Sequence, residues 1–344
     1  MRVLQTSSSA KPKLCIFLLQ LGGPKDLQAI EPFLRNLFAD VLPLPGFLRR
    51  PLAAWIARRR TPEVAPLYQE IGGGSPLLAN TEAQRAALEA RLRDLGFDAR
   101  VLIAMRYAPP RGAEALLEAR AACASAHWLA LPLYPQYSYA TTRSSLDELK
   151  SLLTPSERSR LVVVEAYPTS TLYLDAMANR VRESLDALRA EARREVHLVF
   201  SAHGLPLKLV REGDPYPQHV QQTLNGILAR LQPAPPHTLC YQSRVGPVKW
   251  LTPSTQDTLV DLGKRGVKHV AVVPISFVSE HIETLHELDI QLRDVAKAAG
   301  IETYTRVPTV DARPEFIEAL AQLVLERLPG SSEDTGSEAA RKNA

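Results

Sequence analysis

The sequence predicts an α/β fold: two similar Rossmann-like, doubly wound domains, each with a four-stranded parallel sheet, flanking a cleft. Three observations predict it. Short β-branched, apolar runs alternate with longer segments of helical period, as right-handed βαβ crossovers require. The 344 residues exceed the roughly 250 to 300 at which one hydrophobic core stops growing. The apolar runs divide four and four about a break at residues 168–171.

In the first half the strand runs are 14–20, 99–105, 127–133 and 161–167, each bounded by Gly, Pro or polar clusters. In the second they are 196–201, 238–242, 269–275 and 302–306. Helical periodicity marks 81–95, 113–124, 171–192, 217–231, 254–264 and 283–299. The halves echo each other without a strict repeat. The first strand of each runs into a glycine turn, Gly22-Gly23-Pro24 and His203-Gly204-Leu205-Pro206. The third runs into Pro with hydroxyl or aromatic residues, Tyr134-Pro135-Gln136-Tyr137 and Pro274-Ile275-Ser276-Phe277. Open α/β sheets bind ligands at such carboxyl strand ends, so the cleft between the halves is the expected site.

The expected domains are therefore 11–168 and 169–311, with a helix at 312–328 packing back on the first domain. Residues 329–344 are small, polar and charged and are expected to be disordered. One segment, about 24–76, breaks the alternation. It holds Phe33, Leu34, Phe38, Phe47, Leu48 and Trp55, prolines at 43, 45 and 51, and Arg49, Arg50, Arg58, Arg59 and Arg60. An excursion this long and apolar is usually a functional lip. Two readings stay open: a helical hairpin packed on the sheet, and a lip that also touches a membrane surface.

Composition narrows the function classes. With 45% hydrophobic and 23% charged residues the chain is neither disordered nor fibrous. No apolar run approaches the roughly 18 residues of a membrane span, and the first thirteen residues lack the order of a secretion signal, so a cytoplasmic protein is expected. A net charge of +4, from 41 basic and 37 acidic residues, gives no case for nucleic acid. Cys15, Cys123 and Cys240 form no C-x-x-C pair and lie in apolar or alanine-rich stretches, so buried inert thiols are expected.

His203 is the first candidate for chemistry, because an imidazole on a glycine turn at a carboxyl strand end suits proton or metal work. A hydrogen-bonded turn histidine is the plain alternative. Next comes Glu280-His281-Ile282-Glu283-Thr284-Leu285-His286-Glu287. At about 100° per residue, Glu280, Glu283 and Glu287 share one helix face, where a cation or a proton relay would relieve their repulsion. The plain alternative is a solvated acidic face. Imidazole with carboxylate and no thiolate suits a divalent first-row ion such as ferrous iron. Gly72-Gly73-Gly74-Ser75-Pro76 lacks the Gly-Lys-Ser/Thr of a phosphate loop and reads as a turn closing the lip, with a helix cap near Asn80 and Thr81. Arg60, Tyr68, Ser75, Arg106 and Tyr107 offer donors suited to carboxylates.

With these residues in place, the chain from Leu14 to Leu328 closely resembles the ferrochelatases, which insert ferrous iron into a porphyrin to make heme. The resemblance rests on Leu21-Gly22-Gly23-Pro24, Arg59-Arg60-Thr61-Pro62, Ile71-Gly72-Gly73-Gly74-Ser75-Pro76, Arg106-Tyr107, Tyr134-Pro135-Gln136-Tyr137-Ser138, Ser201-Ala202-His203-Gly204-Leu205-Pro206, Gly213-Asp214-Pro215-Tyr216, Gln242-Ser243-Arg244-Val245-Gly246-Pro247 and His281-Ile282-Glu283-Thr284-Leu285. It implies that His203 and Glu283 oppose each other across the porphyrin cleft as catalytic and metal-binding residues, with Glu287 continuing an acidic path. The family carries aspartate or a similar polar residue where Glu280 stands. It further implies that Arg60, Tyr68 and Ser75 hold propionates, that Arg106 and Tyr107 line the cleft, and that the lip takes porphyrin from the membrane. Some relatives bind a [2Fe-2S] cluster through a mid-chain cysteine and a cysteine-rich extension. Tyr139 stands at the former position here and the tail has no cysteine, so no cluster is expected, and ferrous iron enters as substrate. Relatives that use coproporphyrin often carry tyrosine where this chain has Leu21, which favours protoporphyrin IX. A coproporphyrin ferrochelatase, a cobalt chelatase of a related pathway and a non-catalytic tetrapyrrole- or metal-binding protein are the alternatives.

Overall fold

The computed structural model describes residues 13–328 apart from 43, 245 and 247. The expectation of disorder at 329–344 and the expected domain start at residue 11 lie outside the described residues. Two four-stranded sheets, all parallel, have the same order: β2-β1-β3-β4 and β6-β5-β7-β8. In the first, β1 (Lys13–Gln20), β2 (Asp98–Met105), β3 (His127–Pro132) and β4 (Leu161–Val163) meet the expected runs closely at their starts. In the second, β5 (His197–His203), β6 (His237–Gln242), β7 (His269–Pro274) and β8 (Thr303–Arg306) do the same. The faint echo in the sequence is thus a repeated topology.

The strands read as unbroken apolar runs because both faces of each sheet are covered. Along β1, Ile16 and Leu18 point into one core while Cys15, Phe17 and Leu19 point into another, the period of two that a pleated strand imposes. The first core is continuous across both sheets: Ile16, Leu18 and Leu131 meet Leu198, Phe200 and Val273, roofed by Tyr173, Phe316 and Leu320. Each large side chain so buried contributes roughly 1.5 to 3 kcal/mol. The outer faces have their own cores, around Phe17, Trp128 and Leu149 and around Val199, Leu259 and Val272.

The lip is a helical hairpin, α1 (Ile30–Val41) against α2 (Gly46–Glu70), followed by α3 (Leu77–Asp94). Then come α4 (Gly112–Ala122), α5 (Ser144–Leu152) and α6 (Pro155–Arg160). The second half adds α7 (Thr171–Asp186), α8 (Ala190–Glu195), α9 (Leu207–Arg211), α10 (Tyr216–Arg230), α11 (Thr255–Lys264), a π-helix at Glu283–Gln291 and α12 (Leu292–Ala298). The last helix, α13 (Pro314–Leu325), packs against both α3 and α7 and pairs Glu318 with Arg91 at 2.5 Å.

Four expectations need correction. The helix read at 171–192 is two, because the chain turns between Asp186 and Ala190. The fourth strand ends at Val163, after which 164–167 peels off and donates from Val164 and Tyr167 to the carbonyls of Ala130 and Pro135. The α3 helix starts at Leu77, and Thr81 is inside it, bonding Leu77 O at 2.7 Å. The helix read at 283–299 begins as a π-helix, whose i→i+5 bonding widens the turn.

The two halves are stitched through the exits of their third strands. Gln136, after β3, donates to the Ile275 carbonyl after β7 at 3.3 Å and to Thr223 Oγ1 at 3.0 Å. Ser138 and the Tyr139 N–H both donate to Asp214, 1% exposed.

Candidate functional site

A 2-1-3-4 order reverses direction between its first and third strands, and ligands of such sheets sit outside the carboxyl ends at that reversal. His203 is the last residue of β5 and Ser276 follows β7, so the pair occupies this point of the second sheet. The ring is aimed by its backbone. His203 N–H donates to Ser276 Oγ at 3.1 Å, and Tyr216 donates its hydroxyl to the His203 carbonyl at 3.0 Å. Gly204 is forced by contact: an added Cβ would stand 2.6 Å from the Gln242 carbonyl, the acceptor of its own N–H.

His203 Nδ1 lies 3.2 Å from Glu283 Oε2, and the same oxygen lies 3.1 Å from His281 Nε2. The other His281 nitrogen faces the Ser279 carbonyl at 3.0 Å. Phe277 stands between the rings, 6.2 Å from His203 and 4.5 Å from His281. The His203 and Glu283 side chains keep 38% and 30% exposure, so the pair is reachable.

Glu287 is fixed from β6. Its carboxylate accepts from the Ser243 N–H at 2.8 Å, from the Ser243 hydroxyl and from Gln242 Nε2 at 3.1 Å. Ser243 adopts φ 62°, uncommon for a residue with a Cβ, and Gln242 also donates to the Glu283 carbonyl.

These neighbours pull the groups in different directions. Burial by itself would depress the His203 pKa, but the Glu283 carboxylate outweighs it and the ring's value rises. Burial by itself would raise Glu283, but His203 and His281 hold it well below the usual carboxylate range. Glu287 is raised, because burial and the charge of Glu283 outweigh its bonds from Ser243 and Gln242. Carboxylates pushed apart in this way suit an acid–base or cation-handling pair.

The third carboxylate is not in the row. Glu280 precedes the π-helix and turns away, accepting from Arg306 Nη1 at 2.8 Å and the Thr309 N–H at 2.9 Å. A regular-helix wheel put it beside Glu283; the chain is not yet helical there.

In the first half, Leu21 follows β1, and its carbonyl accepts from the Tyr107 N–H at 2.9 Å. Arg106 and Tyr107 gather on α1 rather than standing open: Arg106 Nη2 donates to Asp40 at 2.5 Å, and the Tyr107 hydroxyl to the other oxygen of Asp40 at 2.7 Å. Ser144 and Glu148 complete this cluster. Ser75 supports the turn at Gly23, donating its N–H to the Pro24 carbonyl at 2.8 Å. Arg60 is exposed and pairs with Glu63 on its own helix. Tyr68 is 4% exposed, its hydroxyl pKa pushed up by burial and by Glu283, so α2 ends beside the His203 site. His281, Gln242, Ser243 and Asp40 were not singled out from sequence. His281 and the Gln242-Ser243 pair stand inside quoted motifs, which was their signal; Asp40 has none.

Among the described residues no group of three or more His, Cys, Asp or Glu is arranged to cage a metal. His203 and Glu283 are bonded to each other and both carried by the second sheet, rather than set opposite each other across the cleft as the resemblance implied. Two four-stranded parallel sheets with flanking helices give the chain the α/β fold of the chelatase class. The structure is similar to that of SirB from Bacillus subtilis, solved with Fe3+, at a TM-score of 0.55 and 13% identity, covering 93% of this chain and 97% of that one.

The chain belongs to the ferrochelatase family, whose model matches residues 13–328. It is 45% identical over 320 residues to the ferrochelatase of Nostoc sp. (strain PCC 7120), covering 91% of this chain and 82% of that one. It is 44% identical to the ferrochelatase of Geotalea uraniireducens, covering 91% and 97%. Ferrochelatases are metal-insertion lyases of heme biosynthesis, and the protein is an enzyme of this kind.

Proposed function

We propose that the protein inserts ferrous iron into protoporphyrin IX, with His203 and Glu283 as the residues that meet iron and pyrrolic protons. The observation that carries this reading is the shared oxygen of Glu283, held between His203 and His281 at 3.2 and 3.1 Å. Iron replaces two inner N–H protons, so the site must release two protons per metal taken. A dication at Glu283 offsets the charge that holds a proton on His203, freeing the ring as a base when the metal arrives. Glu287, raised and hydrogen-bonded beside it, drains protons along the π-helix.

On this reading the half at 169–311 handles metal and the half at 11–168 handles porphyrin, with the helix at 312–328 joining them. Arg60, Tyr68 and Ser75 take the propionates, while Asp40 orders Arg106 and Tyr107 at the cleft wall. Leu21, in place of a tyrosine, favours protoporphyrin over coproporphyrin. The enzyme works from the cytoplasmic side, its lip resting on the inner face of the membrane. Phe47, Trp55, Val41 and Leu48 support this, being 77%, 60%, 58% and 51% exposed beside Arg58 and Arg59. No helix of the described residues is long and apolar enough to cross a membrane. A [2Fe-2S] cluster has no part in this reading: Cys15, Cys123 and Cys240 are free and buried, and burial pushes the Cys240 thiol up to about 11. The test is anaerobic absorbance with ferrous or cobaltous ion against protoporphyrin and coproporphyrin. Preferred turnover of coproporphyrin, or binding without insertion, overturns the assignment.

A further inference from the structure

The last turn of α2 reaches the π-helix. Glu70 Oε2 lies 3.1 Å from His286 Nε2, with the two side chains 50% and 12% exposed. A second contact runs beside it. Ile282, the residue before the π-helix, packs into the lip's apolar cluster of Ile30, Leu34, Ala57 and Tyr68. Directly after Glu70 the helix stops, and Gly72 and Gly73 take φ of 105° and 92°. Two successive residues in the left-handed region make a joint that glycine enters without strain. The Glu70–His286 contact therefore fastens the jointed end of the lip to the helix that carries Glu283 and Glu287.

We propose that Glu70 is a positioning residue for metal insertion, acting through His286 to hold the lip helix and the π-helix in one register. His286 is adjacent to Glu287 and one turn from Glu283, so a shift of its ring displaces both carboxylates together. The inference rests on the reading of those carboxylates as the iron path. Because linkage is reciprocal, a lip filled by porphyrin then improves the iron site, and iron at the π-helix tightens the lip. A half-exposed polar contact contributes little to folding, so the pair's effect belongs in the kinetics and not in the melting point.

The test uses the full chain with ferrous iron and protoporphyrin under anaerobic conditions. Glu70→Gln and His286→Gln should each raise the iron KM by about threefold to tenfold, and the double variant should match the worse single instead of multiplying the two. Melting midpoints should stay together. The swapped pair Glu70→His with His286→Glu should recover the iron KM. An active wild type whose variants leave the iron KM unmoved, or whose effects multiply, overturns the tether alone. A wild type that inserts no iron overturns both the tether and the site it rests on.

Discussion

The His203 ring and the Glu283 carboxylate, 80 residues apart in sequence, meet through Nδ1 and Oε2 at 3.2 Å. His203 ends β5 and Glu283 opens the π-helix that follows β7, both at the reversal of one sheet, so the fold itself closes this distance.

Removing either partner should separate chemistry from binding. His203→Ala and Glu283→Gln are expected to lower iron insertion by about a hundredfold or more, the scale of a lost general base, while porphyrin binding followed by fluorescence changes little. Retained turnover in His203→Ala, or a Glu283→Gln loss confined to porphyrin affinity, would contradict the roles proposed.

The same pair sets a pH dependence of stability in the metal-free protein. His203 is raised above 6.5, so its contribution is complete below pH 6.5 and fades as pH climbs through the raised value. Glu283 is held below 4.5, so its contribution is complete above pH 4.5 and fades in acid. Glu287, raised above 4.5, contributes fully below that pH and loses its share as pH rises. Thermal melts from pH 6 to 9 should show the gap between wild type and His203→Ala narrowing; parallel curves would refute the sign.

Arg106 and Arg60 should part ways. Arg106, 14% exposed and bonded to Asp40, is that carboxylate's cationic partner, and its removal leaves Asp40 Oδ1 without its donor, so Arg106→Ala should cost about 2 kcal/mol of stability by denaturant titration. Arg60→Ala should leave stability unchanged and raise the porphyrin KM. Equal melting curves for both variants would show that the Asp40 cluster is not structural.

Gly204→Ala tests the aim of His203 without touching its ring. A Cβ 2.6 Å from the Gln242 carbonyl and 3.3 Å from the Trp250 ring must push the β5 exit aside, costing roughly 1 to 3 kcal/mol. Turnover should fall with it. A variant as stable and active as wild type would mean the loop yields freely.

The lip should report on a bilayer. Phe47→Ser with Trp55→Ser, both in exposed positions, should abolish co-sedimentation with anionic vesicles at unchanged melting point. Undiminished sedimentation would remove the apolar lip from membrane contact.

Much of this molecule is readable from its residues because strands buried on both faces need continuous apolar runs, and carboxyl strand ends need punctuation. That placed His203 correctly at the end of β5. What escaped was non-local or geometrically unusual. The helix begins only after His281, so a wheel run back over Glu280 wrongly drew it into the row, and the π-helix itself has the composition of an ordinary helix. The break between α7 and α8 carries neither Gly nor Pro. Asp40 is one acidic residue on an amphipathic helix until the fold brings Arg106, Tyr107 and Ser144 to it.

The two sheets repeat one design, yet their first strands lead into unlike residues, Leu21 before Gly22 and His203 before Gly204. A flat macrocycle lodged between them would have an inert side and a reactive side. On the proposed roles of His203 and Glu283, metal insertion would then be vectorial, with cation arriving and protons departing over a single face while the opposite wall holds the ring.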